Sequence, residues 1–217
     1  MSRCGDTYEN KITGEHAVVL RGDEDSRGQS FLVHLTVRPH GAVVGEHIHP
    51  QIQERYHVVS GRLGTRLGGV ERTLTAGEEV AAPAGTTHDW WNDGDEDAQV
   101  LIEISPANPR FELMIATLFG LANAGKTDAK GVPGLLQLAL IGREFQDVIQ
   151  FTKPPRAVQQ VMFGLLGTVG RMRGYRGAYP DYSHPHGRTT PDPAVLALAG
   201  LVPADPDDLA EGPKRPS

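Results

Sequence analysis

Short apolar segments separated by glycine and proline make up the chain from about residue 16 to residue 105. These segments of five to eight residues are rich in Val, Leu, Ile and Thr, which is typical of β-strands. Turn-forming pairs such as Ser60-Gly61 and Gly68-Gly69 stand between them. The candidate strands are residues 16–21, 31–38, 54–60, 62–67, 69–74, 78–82, 88–92 and 99–105. Eight such strands predict a barrel or a sandwich.

The pattern changes after Asn108-Pro109 to longer stretches with apolar residues three and four positions apart. Phe111, Met114 and Leu118 follow this spacing, which is typical of an amphipathic helix. Further helices are predicted over residues 134–151 and 154–173, and a short one from Asp192-Pro193. Residues 173–191, and those beyond 203, show no period and are expected to be loop or tail.

These two patterns divide the chain into a mainly β part and a helical part. The predicted units are an N-terminal segment (1–15), a β-barrel (16–108), a helical extension (109–173) and a loop with a C-terminal tail (174–217). The apolar faces of the helices are compatible with a dimer interface, a lid or a packing layer, and the pattern does not choose among them.

Charge and composition narrow the classes of partner. The formal net charge is −6, so the basic surface that nucleic acids or anionic membranes require is missing. The longest apolar stretches, residues 113–122 and 135–141, are shorter than a membrane span. No secretory signal is visible, and we expect a cytoplasmic protein. Cys4 is the only cysteine, so a metal site would have to use nitrogen and oxygen ligands.

Candidate metal ligands lie close together between Gly41 and Gly61. His47 and His49 are two residues apart, so on an extended backbone both rings emerge on the same face. Glu54 opens the next predicted strand and can face the same ion. A turn through Pro83 and Gly85 then aims the strand that begins at His88. Three imidazoles and one carboxylate suit a divalent first-row transition metal.

The spacing of these residues resembles the two signature blocks of the cupin superfamily. The matching positions are Gly41, His47, His49, Glu54, Gly61, Gly77, Pro83, Gly85, His88 and Asn92. Cupins are double-sheet jelly-roll barrels, so the resemblance implies a mainly β, cupin-type jelly roll with a C-terminal α-helical extension. In cupins the residues at the positions of His47, His49, Glu54 and His88 bind the metal.

For the other polar and aromatic residues, the sequence leaves more than one role open. Tyr56 and Trp90 share strand faces with the ligands and either line a substrate cavity or belong to the aromatic core. Asn92 is a third pocket candidate. Trp91 and His57 point to the opposite faces, where we expect Trp91 to pack under the helical part.

A second histidine pair, His184 and His186, has no carboxylate or third histidine at ligand spacing, so a solvated loop is expected. Glu103 lies within an apolar strand, where its carboxylate needs a partner.

The function that these residues predict is a metal-dependent oxidoreductase, of the dioxygenase or oxygenase type, acting on a small organic molecule inside the barrel. One divalent ion is expected, with Fe or Mn favoured and Ni, Cu or Zn as alternatives, and no organic cofactor. Glu54 is the candidate catalytic base. The alternatives are a non-redox isomerase, lyase or decarboxylase, and a cupin that binds small molecules without turnover. Because cupin barrels often pair, a homodimer is expected.

Overall fold

The computed structural model describes residues 2–42 and 45–201. Its strands are β1 (Asp6–Asn10), β2 (Glu15–Arg21), β3 (Phe31–Val37), β4 (His47–Ile48), β5 (Gln53–Ser60), β6 (Arg62–Leu67), β7 (Val70–Thr75), β8 (Glu79–Ala82), β9 (Thr87–Asn92), β10 (Ala98–Ser105), β11 (Gln150–Phe151) and β12 (Gly187–Arg188). Its helices are α1 (Asp23–Ser26), α2 (Pro109–Asn123), α3 (Leu135–Glu144), α4 (Arg156–Met172) and α5 (Pro193–Leu198), with a 3-10 turn over Pro180–Tyr182.

Two antiparallel sheets enclose the core. One sheet has the strand order β12-β1-β2-β3-β10-β5-β8, and the other has the order β11-β4-β9-β6-β7. Neighbours such as β3 and β10 are far apart in the sequence, so the connections cross between the sheets as in a jelly roll. The fold is therefore a mainly β jelly roll with added helices, as the sequence predicted.

Alternation along β5 places the candidate carboxylate inside the barrel. Glu54, Tyr56 and Val58 are buried, whereas Arg55 between them is exposed. The neighbouring strand β10 places Ile104 opposite Glu54. The carboxylate therefore lies in an apolar interior, where it needs compensating partners.

The eight predicted strands correspond to β2, β3 and β5 to β10, with each end within one residue of the prediction. Four strands were missed. Tyr8 is the only aromatic or aliphatic residue of β1, so this strand shows no apolar alternation. The other three have two residues each and depend on partners distant in sequence, such as β11 for β4.

The predicted helix over residues 134–151 is wrong in its last part. α3 ends at Glu144, and the chain then turns so that Phe145, Val148 and Ile149 are buried in the core. These apolar residues continue the helical spacing in the sequence, but they are buried against the barrel.

The predicted start of a short helix at Asp192 is confirmed, since its side chain accepts a hydrogen bond from Ala194 N at the first turn of α5.

α2 begins where the barrel ends and packs against β1 and the 3-10 turn. The side chain of Asn108 accepts hydrogen bonds from the backbone N–H groups of Arg110 and Phe111, which caps the helix. A Cβ atom at Gly120 would come within 2.1 Å of the Tyr182 ring, so the contact with the 3-10 turn requires glycine.

Large apolar side chains remain exposed along α4. They are Val158, Val161, Leu165 and Met172, with exposed fractions of 47%, 62%, 69% and 76%. At 3.6 residues per turn these four positions fall on one side of the helix. The exposed apolar surface of α4 suits a protein contact.

None of the helices in the described part of the chain has the length and apolar character needed to cross a membrane.

The homodimer expected from the sequence stays a prediction, with α4 as its contact surface. Light scattering should give the mass of two chains, and Val161→Glu combined with Leu165→Glu should give the mass of one, because burying two carboxylates at a contact is costly. Gln160→Glu, on the opposite side of α4, is the control and should leave the mass unchanged. A monomeric unaltered protein would contradict the prediction.

Candidate metal centre

Four residues from different elements meet inside the barrel. His47 on β4 lies opposite His88 on β9, His49 follows directly after β4, and Glu54 is on β5. All four are buried, with exposed fractions of 2%, 1%, 2% and 4% in the order just given. One ligand atom from each lies within 4.8 Å of the others. The structure thus brings together the four residues that the sequence singled out.

Backbone carbonyl groups fix the orientation of the three imidazole rings. Nδ1 of His47 lies 2.8 Å from the Gly45 oxygen, and Nδ1 of His88 lies 2.8 Å from the Thr86 oxygen. Nδ1 of His49 lies 2.6 Å from the oxygen of Val148. Since a carbonyl oxygen can only accept, each Nδ1 carries the proton and donates it. Each Nε2 is then the nitrogen available to bind an ion.

The distances between the facing atoms fit a bound cation. Nε2 of His88 is 3.2 Å and Nε2 of His49 is 3.3 Å from Oε2 of Glu54. Ligand atoms bound at right angles to one ion at about 2.1 Å stand about 3.0 Å apart. With Nδ1 protonated, a neutral ring would direct its lone pair at the carboxylate, so either a metal ion or a second proton must lie between them. The donor set therefore fits a divalent transition metal.

The pKa shifts of these groups agree with a carboxylate that stays ionised inside the barrel. Burial alone would raise the pKa of Glu54, but the rings of His49 and His88 hold it below its usual range. Burial and the two neighbouring imidazoles lower the pKa of His47 to about 4. Burial alone would lower the pKa of His88, but the hydrogen bond and the charge of Glu54 together have the larger effect and raise it. The carboxylate is thus ionised and the ring of His47 is neutral near pH 7.

The helical extension supports the ligand strand, which the sequence did not reveal. β11, which follows α3, pairs with β4 and places Phe151 opposite His47. The carbonyl group that accepts from His49 belongs to Val148 in the same segment. Thr152 adds a hydrogen bond from its hydroxyl to the Glu46 carboxylate at 3.1 Å. In the sequence, the only indication of this contact is the run of apolar residues that follows α3.

A cavity of about 430 Å³ begins at the metal ligands and continues between the large sheet and α2. His47, His49 and Glu54 form one end of it. Phe111 of α2 reaches His49, with the two rings edge to face and 5.5 Å apart. The apolar face of α2 is therefore a wall of this cavity. The sequence left a dimer interface, a lid or a packing layer open for the helices, and this role was not among them.

The three predicted pocket residues have different roles. Trp90 lines the cavity. Tyr56 packs beside Trp90 with ring centroids 6.3 Å apart, and it does not line the cavity. Its hydroxyl is buried without a hydrogen-bond partner among the described residues, and burial together with the charge of Glu54 raises its pKa well above the usual value.

Asn92 is fully buried and does not contribute to the cavity lining. Its amide donates to the carbonyl oxygens of Val37 and Glu96, at 2.9 and 2.8 Å, and accepts from Gly94 N at 2.9 Å. Asn92 thus ties β9 to the end of β3 and to the turn that follows, which is a structural role.

The remaining sequence candidates lie away from the metal centre. Trp91 was expected under the helices, but it packs on the outer face of the small sheet against Gly64 and beneath Arg66. That face is open enough for an indole because residue 64 has no side chain. Nδ1 of His186 accepts from the backbone N–H of Glu9, which joins the loop to β1.

The carboxylate of Glu103 has a partner on the outer face of the large sheet, where it accepts from Arg21 at 2.7 Å. His57 faces Glu79 on the same sheet at 3.7 Å.

Residues 33–104 match the family model described as Cupin domain. The chain therefore contains a cupin domain. The polyketide synthase CurC of Streptomyces cyaneus is 35% identical over 80 residues, which are 37% of this cupin and 51% of that protein. The tetracenomycin polyketide synthase protein TcmJ of Streptomyces glaucescens is 36% identical over 83 residues, 38% and 55% of the two chains. This cupin spans about half the length of the curated relatives it matches.

Among solved structures, KdgF from Halomonas sp. is similar with a TM-score of 0.44 and 17% identity, covering 51% of this cupin and 99% of that chain.

Metal content tests the ligand set. Elemental analysis of the purified cupin should find about one transition-metal ion per chain, and His47→Ala combined with His49→Ala should remove it, because two of the four ligands are lost. His57→Ala is the matched control, since this histidine points away from the centre and its loss should leave the metal content unchanged. Full occupancy in the double variant would refute the assignment.

The structural role of Asn92 is also testable. Asn92→Ala should lower the free energy of unfolding by about 2–4 kcal/mol, because buried backbone groups lose their partners. The metal content of the folded variant should be unchanged. The exposed Asp95 lies in the adjacent turn, and Asp95→Ala should change stability by less than about 0.5 kcal/mol in the same denaturation experiment. If Asn92→Ala keeps its stability but loses ligand binding, Asn92 is a pocket residue and the structural role is wrong.

Proposed function

We propose that this cupin is a metal-dependent enzyme, of the oxygenase type, that acts on an elongated and mostly apolar organic molecule. The observation that carries the proposal is the continuity between the ligand set and the cavity. His49 and Glu54 form the end of a space whose other walls are largely apolar. A substrate can therefore bring one end to the metal while its body is removed from water.

The metal proposed here is one divalent ion per chain, with Fe or Mn favoured and Ni, Cu or Zn as alternatives. When bound, such an ion would supply Lewis acidity and, if redox-active, electron transfer. Four protein ligands leave coordination positions free on an ion that prefers five or six. Two adjacent oxygen atoms of a substrate, such as those of a diketone or a hydroxyketone, match this arrangement.

Residues of the chain have clear tasks in this proposal. Glu54 is the base, because its carboxylate is ionised, buried and at the end of the cavity. His49 is held by the oxygen of Val148 on one side and the ring of Phe111 on another, so its position is fixed before a substrate binds. Trp90 and Phe111 exclude water from the reacting end.

The curated relatives support a polyketide as the class of substrate. Two of them are named as polyketide synthase proteins of Streptomyces. Polyketides carry closely spaced ketone and hydroxyl groups on a carbon skeleton, which suits both the free metal positions and the apolar walls. A polyketide-derived hydroxyketone is therefore the proposed substrate type, and a cytoplasmic location remains part of the proposal.

A second candidate function is a non-redox reaction on the same type of molecule. The names of the relatives favour it, because they describe synthase proteins and not oxidoreductases. In this reaction Glu54 would take a proton from the carbon next to a carbonyl group, and no oxygen would be consumed. The same four residues would hold the metal.

Oxygen uptake distinguishes the two reactions. The metal-loaded cupin should consume oxygen in proportion to a diketone, flavonol or enediol substrate, and Glu54→Gln should lower the rate by about 10²-fold or more. Gln51→Glu, at an exposed position before β5, is the control and should keep the rate.

Turnover that continues under nitrogen would overturn the oxygenase and support the non-redox reaction. Metal-dependent binding without turnover in either atmosphere, with affinity unchanged by Glu54→Gln, would instead make the protein a non-catalytic binding cupin.

A further inference from the structure

The cavity extends far beyond the metal centre across the large sheet. Its floor begins at Glu54 on β5, continues over Ile102 on β10 and Leu35 on β3, and reaches Ala17 on β2 and Tyr8 on β1. Adjacent strands are about 4.8 Å apart, so the four steps from β5 to β1 cover about 19 Å. The registers agree with a continuous floor, since Ala17 lies opposite both Leu35 and Tyr8.

The far end of this floor is polar, in contrast to its middle. Glu15 on β2 lies opposite Asn10 on β1, and both belong to the cavity lining. Part of their hydrogen-bonding capacity serves the hairpin: Asn10 Oδ1 accepts from the backbone N–H of Thr13, and one Glu15 oxygen accepts from the Thr13 hydroxyl at 2.7 Å. Burial raises the pKa of Glu15 in spite of these contacts.

A loop after α2 forms the roof over the same end. Asp128 shapes this loop, because its carboxylate accepts from the backbone N–H groups of Lys130 and Val132, both at 2.9 Å. Gly131 lies against the hairpin, where a Cβ atom would come within 2.8 Å of the Thr13 methyl group. Lys130 lines the cavity, is exposed, and forms no ion pair with any residue between 2 and 42 or between 45 and 201.

We propose that Glu15 and Lys130 form a second binding subsite, which takes a hydroxyl group at the far end of an elongated ligand whose near end lies at the metal ligands. Glu15 and Lys130 both line this end of the cavity and form no ion pair with each other, so the carboxylate can accept from a ligand hydroxyl group to which the flexible lysine side chain donates. The apolar floor between the two polar ends then selects for the length of the ligand. This subsite rests on the proposed function, because the near end of the ligand is defined by the metal.

The subsite predicts an affinity gain that depends on the far end of the ligand. The probes are two linear tetracenequinones with the same hydroxyl-ketone pair on one terminal ring, of which one carries a further hydroxyl on the opposite terminal ring. Four linear rings with oxygen atoms at both ends are roughly 12 Å long, and a metal contact of about 2 Å at one end and a hydrogen bond of about 3 Å at the other bring this close to the span of the floor. In absorbance titrations of the metal-loaded protein under nitrogen, the hydroxylated probe should bind about five- to tenfold more tightly.

Substitutions at the far end should abolish this gain. Lys130→Met and Glu15→Leu should each bring the two probes to nearly equal affinity, without weakening the probe that lacks the far hydroxyl. Lys11→Met is the matched control, because Lys11 is exposed on the same hairpin, pairs with Glu9 at 3.5 Å and lies outside the cavity lining. Equal affinities of the two probes for the unaltered protein, or a gain that survives in both variants, would overturn the subsite.

Failure of the proposed function would look different. If neither probe loses affinity in the His47→Ala, His49→Ala variant, the near end does not bind at the metal and the proposed function fails. If the two probes also bind this variant with equal affinity, the subsite is overturned together with the proposed function. Absence of binding by both probes to the metal-loaded protein would overturn the subsite, since the cavity would not accept the ligand class.

Discussion

A buried carboxylate that faces the lone pairs of three imidazoles is the constraint on which the rest of this structure depends. Glu54 lies in an apolar interior, and the rings around it are turned so that Nε2 of each is directed inward. Without a cation, such an arrangement would place unpaired charge and opposed lone pairs in a medium of low dielectric constant. A metal ion resolves both problems at once. The alternation of β5, the pairing of β4 with β9 and the three carbonyl acceptors all serve to hold this geometry.

The helical extension is part of the metal centre and of the cavity, and not an independent layer. Residues after α3 supply the carbonyl acceptor of His49 and the strand that pairs with β4. α2 supplies the wall opposite the large sheet, with Phe111 at the metal end. A cavity bounded on one side by a rigid sheet and on the other by a separate helix can be given a different length through changes in the helix alone. In the proposed function, this division separates metal binding from the choice of substrate.

The sequence identified the four clustered residues and most of the strands because both depend on local spacing. His47 and His49 are near in sequence, and the period of two along β5 and β9 fixes which side chains face inward. The structure makes β4 only two residues long, so His49 lies just beyond the strand and is oriented by a carbonyl 99 residues away in the sequence. No local pattern contains that contact. Residues 134–151 show the same limit, because apolar spacing cannot distinguish a helix face from a turn buried against the barrel.

The alternation of side chains along a strand predicts which face of the sheet a residue is on, but not whether it reaches the cavity. Tyr56 and Trp90 were predicted on the side of the ligands, and both are buried, yet only Trp90 reaches the cavity. Asn92 has the same parity as His88 and Trp90, but its amide is occupied by backbone groups that come from β3 and from the next turn. The polar end of the cavity was missed because β1 has little apolar alternation and because the loop over it is defined only by tertiary contacts.

X-ray absorption at the metal edge of the reconstituted protein reports directly which atoms bind the ion. We expect a first coordination shell of nitrogen and oxygen atoms only, with multiple-scattering features of about three imidazole rings. The near-edge region should match a centre with five or six ligands, of which four come from the protein. A spectrum with sulfur in the first shell, or with one imidazole or none, would contradict the assignment of His47, His49, Glu54 and His88 as the ligands.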